Sequence, residues 1–212
     1  MATYRNGIVV EGTVNIKRLL LASKSEIRAH QLRQSGIDFD VLASEFDEKK
    51  ICGSSPMQTA LERAVGKALW VAERNPDKIV LGADQVLEFE GKHYGKVYTA
   101  DDALERLEML QGKKHQLHSA FCLLQYDKSA AKPLHQQVVS VGITFRKLET
   151  AEIRRYVASN EWVGSCGCYQ FENKGVHLVD SVEGDWDAIL GLPVLELTKA
   201  LREVGIDPLS EP

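Results

Sequence analysis

Apolar positions along the chain alternate between two spacings, and the switches between them predict the elements. Residues 14–22, ending in the apolar run Leu19 to Ala22, read as a buried strand, stopped by Ser23-Lys24-Ser25. A helix over 26–35 follows, ended by Gly36, and 39–42 reads as the next strand. Residues 45–55 are polar and loop-like. Pro56 then opens a long helix to about residue 74, with Met57, Leu61, Ala64, Ala68 and Val71 on one face. After the turn Asn75-Pro76-Asp77, a buried strand over 79–83 continues through 84–88. Glu90-Gly91 is a hairpin signal leading into a strand over 92–97. A helix from Asp101 to near Gly112 comes next, then strands over 116–125 and 137–145 joined by the polar stretch 126–136. A helix over 150–159, a glycine-rich irregular region to Pro193 and a helix ending near Val204 complete the chain. Helices and strands alternate with hairpins interspersed, which predicts an α/β fold with a mixed sheet.

The chain has 212 residues, 44% hydrophobic and 26% charged, enough to bury a core as one unit or as two small lobes sharing a groove. The boundaries expected are an N-terminal extension over 1–16, one α/β domain over 17–205 and a tail over 206–212. No apolar run approaches a membrane span, and the first residues lack the apolar stretch of a signal peptide, so a cytoplasmic protein is expected. Net charge is −4 and no long basic block exists, which argues against a nucleic-acid partner. An acidic protein that handles a polyanion needs a metal ion as intermediary.

Four patches carry candidate chemistry. In Ala22-Ser23-Lys24-Ser25-Glu26-Ile27-Arg28 a strand passes through a polar turn into a helix, with Ser25 as N-cap. A capping box would place Glu or Gln where Arg28 stands, and a cation there opposes the helix dipole. The misfit disappears if a phosphate sits at the helix N-terminus; the other reading turns Arg28 outward to a carboxylate. Arg63 and Lys67, four residues apart, are either a solvated face or a grip on polyphosphate. Asp84 interrupts an apolar strand, at a cost of several kcal/mol unless it is paired or metal-bound. It is a base for activating water, or half of a structural bridge to Lys96. It lies opposite Lys96 only if the hairpin loop has three residues. Phe46-Asp47-Glu48 is an acidic loop of the kind that ligates hard metals. Cys166-Gly167-Cys168 near His177 reads either as a metal or redox module or as buried thiols packed around a glycine turn.

Taken in order, these patches resemble the Maf family from about Lys17 to Val204. Leu21 to Arg28 matches its opening L-A-S-x-S-P-R-R element, Asp47-Glu48 its D-E element and Lys67-Ala68 its K-A helix end. Gly82-Ala83-Asp84-Gln85 matches G-A-D-T, Gly95-Lys96-Val97 matches G-K-P, and Leu110-Gln111-Gly112 with His115 matches L-S-G-x-x-H. Val141 to Phe145, Tyr156-Val157 and Leu190-Gly191-Leu192-Pro193 match later elements. The resemblance implies a Maf/ITPase-like fold, a mixed and elongated sheet with flanking helices forming two lobes around a nucleotide-binding groove. It implies a metal-dependent pyrophosphatase that cuts nucleoside triphosphates to monophosphate and pyrophosphate, using Mg2+, Mn2+ or Co2+. By carry-over Asp84 is the base and, with Glu48, a metal ligand; Lys67 and Lys96 are catalytic cations; Ser23 and Arg28 bind phosphate. Ile27, Gln85 and Glu172 are the positions that set base preference. Gln85 and Glu172 resemble the members that cleave 7-methyl-GTP, whereas Ile27 matches neither subgroup. The departures are Glu26, Ile27, Gln85 and Val97, which stand for the family's Pro, Arg, Thr and Pro. A homodimer is left open, as is a dTTP/UTP or broad specificity. The family's reputation for arresting cell division supplies a second class, a non-catalytic nucleotide-binding regulator. The buried acid argues against it, since a pure binder has no use for one.

Overall fold

One long strand, Ile79–Phe89, runs through both packed lobes of the molecule. The computed structural model describes residues 4–5, 8–9, 18–127 and 130–209. Of the expected N-terminal extension, only an antiparallel pair, β1 (Tyr4–Arg5) and β2 (Ile8–Val9), lies within them. Residues 14–17 of the first expected strand, and 210–212 of the tail, lie outside. The main elements are β3 (Leu19–Leu21), α1 (Glu26–Gln34), β4 (Phe39–Val41), α2 (Pro56–Ala72), β5 (Ile79–Phe89) and β6 (Lys92–Tyr94). Then come α3 (Ala100–Leu110), β7 (Lys114–Asp127), β8 (Ala130–Phe145), α4 (Thr150–Val157), β9 (Val179–Glu183), α5 (Trp186–Ile189) and α6 (Val194–Glu203). Seven strands form one mixed sheet in the order β4-β3-β5-β7-β8-β9, with β6 paired to the far half of β5. Strand β3 runs parallel to β4 and β5, and the remaining pairs are antiparallel.

The eleven residues of β5 span two packed regions. Ile79, Leu81 and Ala83 pack with Leu19, Leu21, Leu32 and Leu197 beneath α1 and α6. On the opposite face Val80 meets Leu20, Ala68 and Val71 of α2. Further along, Leu87 and Phe89 join Leu107, Leu117, Phe145 and Ile153 in a separate core under α3 and α4. Asp84 and Gln85 sit between, where the two lobes part. Helix α2 comes unusually close to β5 because Gly82 has no side chain. A Cβ there would lie 2.1 Å from the Ala64 carbonyl oxygen and 2.7 Å from the Ala68 nitrogen.

Several expectations are corrected. The hairpin turn after β5 is the two-residue Glu90-Gly91, both with positive φ (51° and 75°), and it pairs Phe89 with Lys92. Pairing stops at Tyr94, so Lys96 is not in a strand and does not face Asp84. The polar stretch 126–136 is largely strand: β7 and β8 pair up to Asp127 and Ala130, with a bulge beside Pro133. That ribbon is exposed or half-exposed along much of β8, so it needs no apolar alternation and gives no period to read. The region before Pro193 contains β9 and the one-turn helix α5, both too short to impose a pattern. On α2 burial begins at Thr59 and Ala60, while Met57 remains 45% exposed. Packing also runs past residue 205, since Ile206 is buried beneath α6. No helix among the described residues is long and apolar enough to cross a membrane.

Candidate active site

A cavity of about 910 Å³ opens between the lobes, and the sequence-predicted site residues converge on it. Ser23, Ile27, Arg28, Glu48, Lys67, Asp84, Gln85, Lys96 and Glu172 all line it. At its floor Asp84 is 7% exposed, and its Oδ1 accepts a 2.6 Å hydrogen bond from Lys67 Nζ. The Lys67 ammonium also pairs with the Glu48 carboxylate, so one buried cation lies between two acids. Arg63 stands 3.9 Å from the second Asp84 oxygen. Burial pushes the Glu48 carboxyl up, but Lys67, with Lys96 and Arg63 behind it, outweighs burial and holds it below the ordinary carboxylate range. The partner of Asp84 is therefore Lys67, not Lys96. Lys96 stands exposed at the groove wall and contributes positive field to Glu48.

These donors suit a hard divalent ion. Two carboxylates converge on one cation-sized position, and among the described residues no group of three or more His, Cys, Asp or Glu gathers around a common point. Such a pair fits an ion that takes its other ligands from phosphate oxygens and water, as magnesium commonly does.

Helix α1 begins beside this floor, with Ser25 capping the Arg28 amide at 3.5 Å. Arg28 neither turns outward nor meets a carboxylate by hydrogen bond. Its Nε donates to the Gly191 carbonyl at 2.9 Å and its Nη1 to the Ala83 carbonyl at 2.9 Å and to Ser23 Oγ at 3.4 Å. Burial lowers its pKa from the usual guanidinium value, and Asp84 and Glu48 oppose that shift. The charge thus stays in the groove while two of its arms tie Gly191 to the residue before Asp84.

Gln85 lines the groove with its amide already engaged. Its Nε2 lies 2.9 Å from Ser119 Oγ, 3.0 Å from the Ala188 carbonyl and 2.9 Å from the Ile189 carbonyl. Its Oε1 accepts the Cys166 thiol at 3.4 Å. Glu172 is exposed on the opposite wall, next to Phe171, whose ring meets that of Trp186 edge-on at 4.6 Å. Trp186 is 54% exposed, whereas Tyr169 is turned into the core with its hydroxyl 2.8 Å from His115 Nε2. Ile27 is half-buried at the rim.

Cys166 and Cys168 are free and buried, and burial pushes their thiols up to about 12 and about 11. They are packed thiols around Gly167, where a Cβ would strike the Tyr169 ring at 2.4 Å. Their neighbour His115 is lowered to about 4 by burial, so it is neutral in the native state. Between pH 6.5 and about 4 the unfolded chain takes up a proton that native His115 refuses. Stability from this group is therefore complete above pH 6.5 and falls as pH drops to about 4, by about 3 kcal/mol in all. Urea denaturation at pH 7 and pH 4.5 should show wild type losing more stability than His115→Gln, which keeps a polar partner for Tyr169 and does not titrate. Equal losses would sink the assignment.

Sequence reasoning singled out Arg63 but left it out of the site. Its Nε and Nη2 donate to the Ile51 carbonyl at 3.2 and 3.0 Å, and it faces Asp84. Two cations four apart on one face of α2 were the available signal. Cys166, in the groove wall against Gln85, stood out only as part of the Cys166-Gly167-Cys168 run, with nothing to tie it to the groove. A family model described as Maf-like protein matches residues 18–204. The chain belongs to the Maf family. A 7-methyl-GTP pyrophosphatase of Bartonella quintana is 37% identical over 194 residues, covering 89% of this chain and 96% of that protein. A dTTP/UTP pyrophosphatase of Bacillus cereus is 34% identical (91% and 93%), and a nucleoside triphosphate pyrophosphatase of Nitrobacter hamburgensis 38% (90% and 95%). Among solved structures, the Staphylococcus aureus Ham1 protein aligns over 61% of this chain and 72% of its own, with 16% identity and a TM-score of 0.40.

Proposed function

We propose that this Maf protein hydrolyses nucleoside triphosphates to the monophosphate and pyrophosphate with a divalent metal, and that it prefers 7-methyl-GTP. The observation that carries the reaction is the buried Asp84, held by Lys67 beside Glu48 in a groove that Arg28 and Lys96 also line. The names of the Bartonella, Bacillus and Nitrobacter relatives agree with the class of reaction. Glu48 and Asp84 would hold the metal, which supplies positive charge at the attacked phosphorus. As the triphosphate enters, its oxygens compete for Lys67, and Asp84 is released to take a proton from water. The water oxygen attacks the α-phosphorus and pyrophosphate leaves. Lys67, Lys96 and the remaining arm of Arg28 balance the charge that builds on the phosphoryl oxygens.

The base preference rests on Glu172. A guanine edge presents N1–H and N2–H₂ donors that one carboxylate can accept together, whereas uracil presents a single N3–H between two carbonyls that repel the carboxylate's second oxygen. N7-methylation makes the ring cationic, which favours Glu172 further and suits the neighbouring Phe171 ring in the groove wall. The named relatives act on different bases at similar identity, so similarity alone does not select among them. One experiment tests both levels. Pyrophosphate release from 7-methyl-GTP and UTP, run in heavy-oxygen water, should put the label in the monophosphate and give the higher kcat/KM for 7-methyl-GTP. Label in pyrophosphate or orthophosphate overturns attack at the α-phosphorus. A ratio below one leaves the reaction intact and moves the preference to dTTP/UTP. Nucleotide binding without turnover would mean a regulator.

A further inference from the structure

Glu48 presents a mechanical problem. Its side chain is about one-third exposed, so its pairing with Lys67 is screened and holds its loop only weakly. If Glu48 serves the metal, as the hydrolase reading above requires, it must exchange that partner during each cycle. A loop held only by the pair would come loose at the moment it is needed.

The structure supplies a hold that does not depend on charge. Gly66 lies in the middle of α2, where glycine is a poor helix former. A Cβ at Gly66 would sit 2.3, 2.5 and 2.7 Å from three atoms of the Phe46 ring, so the ring rests on bare helix backbone. Phe46 is two residues before Glu48, and the Glu48 amide donates to the Phe46 carbonyl at 3.0 Å. On the other side of Glu48, the Ile51 amide donates to the Glu48 carbonyl at 3.2 Å, and Arg63 grips the Ile51 carbonyl. Gly66, Arg63 and Lys67 are thus three successive stations on the same helix: a seat for the ring, a clamp for the turn and a partner for the acid.

We propose that Phe46 seated on Gly66 is the positioning device that holds Glu48 over the groove floor, independently of the Glu48–Lys67 pair. Phe46 and Gly66 are positioning residues, acting through Glu48. Gly66→Ala distinguishes this role from that of a purely structural glycine. Alanine should favour α2 as a helix, yet at position 66 it should evict the ring and free the loop.

The test is amide hydrogen exchange at Glu48 and Ile51 in the full chain, without nucleotide or metal. Gly66→Ala and Phe46→Ala should each speed exchange there by at least about ten-fold, as local opening of the loop requires. The double variant should be no faster than either single one, since both remove one contact. Glu48→Gln should stay within about two-fold of wild type. Metal titrations of pyrophosphate release should show Gly66→Ala needing more magnesium for half-maximal rate, with the rate at saturation retained. Unchanged exchange in both Gly66→Ala and Phe46→Ala overturns the proposal, and so does Glu48→Gln loosening the loop as much as they do. A wild-type protein with no turnover overturns the hydrolase reading alone; exchange alone decides the seat.

Discussion

Asp84→Asn should lower pyrophosphate release by about 10²–10⁴-fold, the usual contribution of a positioned base, while the fold survives. Asp84 is 7% exposed at the groove floor, and among the described residues it is the one buried carboxylate that lines the groove. Asparagine keeps the shape and an oxygen toward Lys67 but cannot accept a proton from water. Lys67 would keep Glu48 as a counter-charge, so the thermal midpoint should move by only a few degrees. Initial rates, the thermal midpoint and nucleotide binding, measured on one preparation, separate the effects. A variant that retains more than about a tenth of the wild-type rate would remove Asp84 from the role of base.

Lys67→Met should produce the largest loss of stability at the site. The Lys67 and Asp84 side chains are 12% and 9% exposed, and removing one partner of such a buried pair costs about 3–5 kcal/mol. Spread over a domain of this size, that is a fall in Tm of roughly 10 °C. Glu48, more exposed, adds little to the pair energy but leaves a second negative charge facing the first. Millimolar magnesium or manganese should then recover part of the lost stability in the variant, and chelator should remove the recovery, because the ion replaces the missing ammonium. Thermal scans with and without metal read this directly, and no recovery would count against Glu48 and Asp84 as metal ligands. Turnover should be lost as well, since the cation on the phosphoryl oxygens is gone.

Much of this was written plainly in the chain. The order of helices and strands, the buried acid at Asp84 and the polar turn into α1 follow from local spacing and turn chemistry, which report through neighbours a few residues away. What the sequence hid was set at long range. Whether Asp84 lies opposite Lys96 depends on one residue of hairpin loop, and a two-residue turn decided against it. Lys67 reaches Asp84 from α2, packed closely on β5 at Gly82. Arg28 was legible as a misfit at its helix N-terminus. Its actual partners, the carbonyls of Ala83 and Gly191, are brought to it by chain 55 and 163 residues away. The short elements β9 and α5 exist because a neighbour is there to receive them, and no period of their own announces them.

The tether at Gln85 bears on how this protein could change its diet. The residue that follows the acid is where relatives with different bases would be expected to differ, and a single exchange there looks like the short route between specificities. Here that side chain also fastens the end of α5 through the carbonyls of Ala188 and Ile189 and receives the Cys166 thiol. A shorter residue such as threonine would take the Gln85 amide away from the Ile189 carbonyl, whereas the Ala188 carbonyl would keep the Ser119 hydroxyl and the Gly191 amide as donors. A change of side chain at position 85 therefore acts on the attachment of α5 as well as on the groove, and the two effects come together in any single substitution there.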